Sequence, residues 1–148
     1  MDTKYFEKIR IFDGGMGQEL LSKGLVSKGT LWSASALIER EFHKLVIDAH
    51  MSYINAGADI IVTNNFSARK IRFIQNKVLD KFQYANEQAG ILANKAREIS
   101  KQNILIAGSL PSQSDTYVED ERSSSEIQSD FEEQAKIISP YVDFFYLM

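Results

Sequence analysis

The sequence predicts an α/β fold built on a parallel sheet, and two observations carry that prediction. Short apolar runs alternate with longer segments of helical periodicity in the order strand, helix, strand. No hairpin signal competes, so the connections read as crossovers, which are right-handed in nearly all such units. Two of the runs also end in polar or glycine-rich turns, Asp13-Gly14-Gly15-Met16-Gly17 and Thr63-Asn64-Asn65. Parallel folds place their ligands at such strand ends.

Each element has its own signal. Four apolar runs read as strands: Ile9 to Phe12, Asp59 to Thr63, Ile104 to Ala107 and Val142 to Leu147. Phe42, Leu45, Val46, Ala49 and Tyr53 recur at helical steps, which predicts a helix from about Glu41 to Asn55 that stops at Gly57. Phe82, Ala85, Ala89, Leu92, Ala93 and Ala96 mark a long helix ending near Ser100, preceded by a short one from Arg69 to Gln75. Ile127, Phe131, Ala135 and Ile138 define another, opened by Ser123 and Glu126 at capping-box spacing and ended by Pro140. Strands starting at intervals of roughly 40 to 50 residues imply substantial loops. The longest, Pro111 to Ser125, is polar and carries Asp115, Glu119, Asp120, Glu121 and Arg122. No repeat, low-complexity tract or linker interrupts residues 1–148, which read as one structural unit.

Composition narrows the function classes. With 44% hydrophobic and 25% charged residues, the 148-residue chain can bury a sizeable core. A net charge of −3 with no basic stripe argues against a nucleic-acid partner. No run approaches the roughly 18 apolar residues of a membrane span, and the charged N-terminus lacks a secretory core, so a cytoplasmic location is the expectation. Without cysteine there is no disulfide and no thiolate metal site, and two histidines cannot close a zinc site.

The strand-end turns carry the chemistry. Asp13 can accept bonds from an ammonium, while Gly14 and Gly15 let backbone amides approach a carboxylate, a pairing that suits an amino acid. The competing reading is a tight turn chosen for positive φ, with Asp13 capping a helix. Thr63-Asn64-Asn65 can orient a polar ligand or simply close Asx-turns. Gly108-Ser109 invites the same pair of readings. Trp32 can wall a pocket or pack at its rim. His50 reads as a hydrogen-bonded packing residue rather than a catalyst, His43 as solvated, and the acidic loop from Asp115 to Glu121 as surface rather than a calcium site.

An ordered set of residues resembles the N-terminal half of the homocysteine S-methyltransferase family. It comprises Phe12-Asp13-Gly14-Gly15-Met16-Gly17 with Glu19-Leu20, Leu31-Trp32-Ser33-Ala34, His50, Tyr53, Ala56-Gly57-Ala58-Asp59 and Thr63-Asn64. Gly108-Ser109-Leu110-Pro111 and Val142-Asp143-Phe144-Phe145 fall where that family has its third and fourth strands. The resemblance implies a (β/α)8 TIM-type barrel, present here as an incomplete half of about four βα units. It also implies methyl transfer from an activated donor to the zinc-bound thiolate of homocysteine, giving methionine, with the zinc held by three cysteines on strands these residues do not include. In the substrate site it places Asp13, Gly14 and Gly15 on the amino-acid end of homocysteine, with Trp32 and Thr63-Asn64-Asn65-Phe66 lining the pocket. Asn65 stands where many relatives have Thr. The chain stops at Met148 within an apolar run, so the expectation is the front part of an enzyme, inactive alone and prone to associate through open strand edges. A small α/β module that binds an amino acid or anion without chemistry is the alternative, and the methyl donor is left open.

Overall fold

A computed structural model of the chain describes residues 3–114 and 119–147. Asp115 and Met148 therefore lie outside the described residues. In chain order, helices α1 (Met16–Ser22), α2 (Ser35–Ile38) and α3 (His43–Asn55) lead to strand β1 (Ile60–Val62). Helices α4 (Lys70–Gln75) and α5 (Phe82–Ser100) precede β2 (Leu105–Leu110), and α6 (Ser124–Ile138) precedes β3 (Phe144–Leu147). The three strands form a parallel sheet in the order β1-β2-β3. Ile60 to Val62 stand beside Leu105 to Ala107, and Ala107 to Leu110 beside Phe144 to Leu147.

Most sequence signals became elements for the reasons given. The long helix runs from Phe82 to Ser100 and ends on Lys101 in the left-handed conformation, φ 56°. Gly57, φ 102°, follows α3, where a residue with a Cβ would be strained. The capping box closes on both sides: the Glu126 N–H donates to the Ser123 hydroxyl and the Ser123 N–H to the Glu126 carboxylate. Pro140 sits in the 3-10 turn Ser139–Tyr141 that terminates α6.

The first expected strand, Ile9 to Phe12, is a correction. It is not a regular strand but a single parallel bridge, Phe12 to Ile60. Its ladder is made partly by side chains. The Asp59 and Ile60 N–H groups donate to the Ile11 carbonyl and the Asp13 N–H to the Ile60 carbonyl, at 2.8, 3.1 and 2.9 Å. Asp59 Oδ2 accepts from the Ile11 N–H and Asp13 Oδ2 from the Val62 N–H, both at 2.9 Å. Carboxylates thus stand in for backbone carbonyls at both ends, and Ile9 is 95% exposed. Asp143 does the same before β3, accepting from the Ile106 N–H at 2.7 Å.

Helices cover one face of the sheet. Ile61 and Ile106 pack there with Ile54 of α3 and Ala93 and Ala96 of α5. The other face is concave. Phe12 and Tyr146 meet at 5.2 Å between ring centroids although β1 and β2 lie between them. Three strand spacings on a flat sheet would hold them about 14 Å apart, so the sheet curls strongly. The N-terminal 3-10 turn Thr3–Glu7 covers part of this hollow, with Phe6 edge-on to Phe144 at 5.5 Å.

Candidate functional site

A cleft of about 330 Å³ opens where the first segment and β1 end. Asp13, Gly14, Gly15, Trp32, Thr63, Asn64 and Phe66 line it, so the structure gathers seven of the eight residues expected there. Met16, Gly17, Ser33 and Tyr146 line it as well and were missed. Tyr146 stands in register with Ser109, on the same concave face as Phe144, a placement that only the strand register reveals.

Asn65 is not in the cleft. It is fully buried, and its amide donates to Asn86 Oδ1 at 3.2 Å and to the Ser109 carbonyl at 3.0 Å, while its Oδ1 accepts from the Thr63 hydroxyl at 2.6 Å. Gln134 of α6 donates to the same Asn86 Oδ1 at 3.0 Å, and Gln113 donates to Gln134 Oε1 at 2.8 Å. Helices α5 and α6 reach under the turn with amides, and Asn65 joins them.

Gly14 and Gly15 do not adopt positive φ, so that reading is also corrected. Smallness is what Gly14 and Gly17 supply. A Cβ on Gly17 would lie 2.6 Å from Trp32 Cζ2, and one on Gly14 3.0 Å from Tyr53 Cε1. Gly15 precedes α1 without a side-chain cap, and Asp13 is bound to Val62 rather than capping the helix.

Asp13 is the one carboxylate at the cleft among the described residues. Burial pushes its carboxyl up to about 7, opposed by its bond from the Val62 N–H. An ammonium brought beside it restores the ionised form, because an opposite charge favours ionisation. Tyr53, behind Gly14, has its phenol raised by burial first and then by the nearby Glu19 and Asp13 charges. Phe66 is backed by the Arg69 guanidinium, 5.4 Å from its ring centre, and Arg69 Nη1 donates to the Ser112 and Ser114 carbonyls.

The remaining candidates lie elsewhere. His50 is fully buried, but neither ring nitrogen has a hydrogen-bond partner, which corrects the expected bonded role. Burial lowers it to about 4, so it is neutral. His43 is half-buried, with Nε2 donating to the Leu37 carbonyl at 3.0 Å, rather than solvated. In the acidic loop Asp120 pairs with Arg122 at 2.7 Å, and Arg122 also reaches Asp130. Among the described residues no group of three His, Cys, Asp or Glu side chains could hold a metal, and no helix is long and apolar enough to cross a membrane.

A parallel sheet with a cleft at its strand ends and a half-buried aspartate beside it is the arrangement in which α/β folds place their ligand sites. Comparison with known proteins narrows this. The sequence profile of the homocysteine S-methyltransferases matches residues 10–148, and the chain belongs to that family. It is 32% identical over 115 residues to the homocysteine S-methyltransferase of Escherichia coli K12, covering 70% of this chain and 35% of that one. It is 34% identical over 91 residues to homocysteine S-methyltransferase 3 of Zea mays, covering 60% and 26%. The fold is similar to the metallated form of the Escherichia coli homocysteine methyltransferase MmuM, with TM-score 0.80 and 25% identity over 98% of this chain and 56% of that chain. The chain therefore spans little more than half of that solved relative.

Proposed function

We propose that these residues are the first half of a (β/α)8 barrel that binds homocysteine for methyl transfer to its sulfur, giving methionine. The sequential parallel strand order, the curl of the sheet and the 56% coverage of MmuM support the half-barrel, and residues 1–148 belong to one domain in this reading. The observation that carries the function is Asp13 at the cleft, raised by burial and paired with no cation among the described residues, within a chain of this family.

In this reading the Asp13 carboxylate accepts bonds from the homocysteine ammonium, and the backbone at Gly14 and Gly15 approaches its carboxylate. Trp32 and Phe66 wall the methylene chain and exclude water, Asn64 and the Thr63 backbone close one side, and the sulfur points away from Asp13 along the hollow. The methyl donor must reach that sulfur in line, and its identity is left open among activated sulfonium, betaine and carrier-bound methyl groups. Asn65 serves the site from beneath by fixing the Thr63-Asn64 turn.

Zinc is the cofactor the family resemblance implies, and the relative MmuM is described in a metallated form. The described residues do not fit it: there is no cysteine, and His50 is fully buried and does not line the cleft. In this reading the chain alone holds homocysteine without turning it over. Calorimetric titration tests the binding. L-homocysteine binds, and 4-sulfanylbutanoate, which lacks only the amino group, does not; equal affinity for the two overturns the role of Asp13.

A further inference from the structure

Trp32 carries an unusual backbone. Its φ is 46° and its ψ −121°, whereas the other two non-glycine residues with positive φ among the described residues, Lys77 and Lys101, sit at helix ends. A bulky side chain in this region is strained, and such strain persists only where neighbours over-determine the conformation. The neighbours are identifiable on both sides. On the outer side, Arg72 Nη1 donates to the Thr30 carbonyl at 2.5 Å and Asn76 Nδ2 to the Thr30 hydroxyl at 2.6 Å. On the cleft side, Asn64 Nδ2 donates to the Ser33 carbonyl at 3.1 Å, and both groups are buried. The result is an indole seated against Gly17, where there is no room for a Cβ.

We propose that Asn64 is a positioning residue: its amide clamps the Ser33 carbonyl and so holds Trp32 in the strained conformation that makes the indole a wall of the cleft. Asn64 then shapes ligand selection through Trp32 rather than by spending its amide on the ligand. The consequence for homocysteine rests on the binding role proposed above; the clamp itself does not.

Trp32 is the single tryptophan of the chain, so intrinsic fluorescence reports this wall alone. Asn64→Asp keeps the side-chain shape but removes the donor, and Asn64→Ala removes the side chain. Both are compared with the unsubstituted chain and with Gly17→Ala, which displaces the indole directly. The expected result is red-shifted emission and greater acrylamide quenching in both Asn64 variants, in the same sense as Gly17→Ala, with far-UV circular dichroism retained. A second readout guards against loss of fold: in the unsubstituted chain under native conditions, slow hydrogen exchange is expected at the Asn64 side-chain amide. Unchanged emission and quenching in folded Asn64→Asp, or a fast-exchanging Asn64 amide, overturns the clamp. Added L-homocysteine separates the two claims. If it leaves the emission of the unsubstituted chain unchanged while the Asn64 variants shift, the ligand reading fails and the clamp stands.

Discussion

Two turns at neighbouring strand ends, Asp13 to Gly17 and Thr63 to Asn65, have similar polar signals and opposite fates. The first opens into the cleft, and its aspartate accepts from the Val62 N–H and pairs with no cation among the described residues. The second is half consumed by packing: Asn65 is locked to Asn86, Ser109 and Thr63, and Thr63, Asn64 and Phe66 line the cleft. What separates them is what lies beneath. Helices α5 and α6 bring Asn86 and Gln134 under the β1 turn, whereas the first turn is backed by the glycine-to-aromatic contacts with Tyr53 and Trp32. A polar residue at a strand end becomes a site only where no buried amide claims it first.

The largest effect at neutral pH belongs to the packed turn. Asn65→Ala removes three buried hydrogen bonds, to Asn86 Oδ1, the Ser109 carbonyl and the Thr63 hydroxyl, and leaves a cavity, while Asn86 keeps Gln134 and Thr63 keeps the Ser109 N–H, so urea unfolding is expected to show a loss of about 2 to 3 kcal/mol. A loss below about 1 kcal/mol, the scale of a solvated polar contact, would erase the distinction between the turns.

Acid comes next, because the two sides titrate in opposite senses. His50 is lowered to about 4 from its ordinary 6.5 by burial, so the unfolded chain takes up its proton first as pH falls. Its contribution is intact above pH 6.5 and falls away toward pH 4, by about 3 kcal/mol at the lower end. His50→Leu should remove that acid slope while leaving stability at pH 7 nearly unchanged, since no hydrogen bond is lost. Asp13 acts the other way: raised to about 7, it costs stability as pH climbs from about 4 to 7. Thermal melts of His50→Leu and Asp13→Asn across this range separate the two groups.

The smallest stability change is expected at the open turn. Gly14→Ala needs Tyr53 to give way by a few tenths of an ångström, so melting should move little. Homocysteine affinity should nevertheless fall, because the added methyl shifts the backbone against the ligand. A variant that loses stability and keeps affinity would reverse the assignment of that turn.

Much of this was legible in the sequence. The α5 helix follows a clean apolar stripe, and the capping box at Ser123 and Glu126 needs only local geometry. The first strand was not, because its ladder borrows the carboxylates of Asp13 and Asp59 and leaves Ile9 and Ile11 exposed. The helices α1 and α2 were also missed, being too short and glycine- or serine-rich to show a period. Seven of the eight expected site residues line the cleft, six because the strand-end turns localise them and Trp32 from the 3-10 segment Gly29–Ala34. Asn65 failed because its fate depends on Asn86 and Gln134, residues 21 and 69 positions away. Tyr146 and the strained Trp32 backbone required the register and the tertiary clamp.

The central claim is that Asp13 grips the amino group of homocysteine, and titration of L-homocysteine into the chain and into Asp13→Asn between pH 5.5 and 8.5 tests it most directly. With the empty-site carboxyl near 7, the affinity of the unsubstituted chain should strengthen as pH rises through neutrality, with a proton released on binding below that point. Asp13→Asn should bind far more weakly and lose the pH dependence while remaining folded. Homocysteine bound equally well by both proteins, with the same pH profile, would contradict the account.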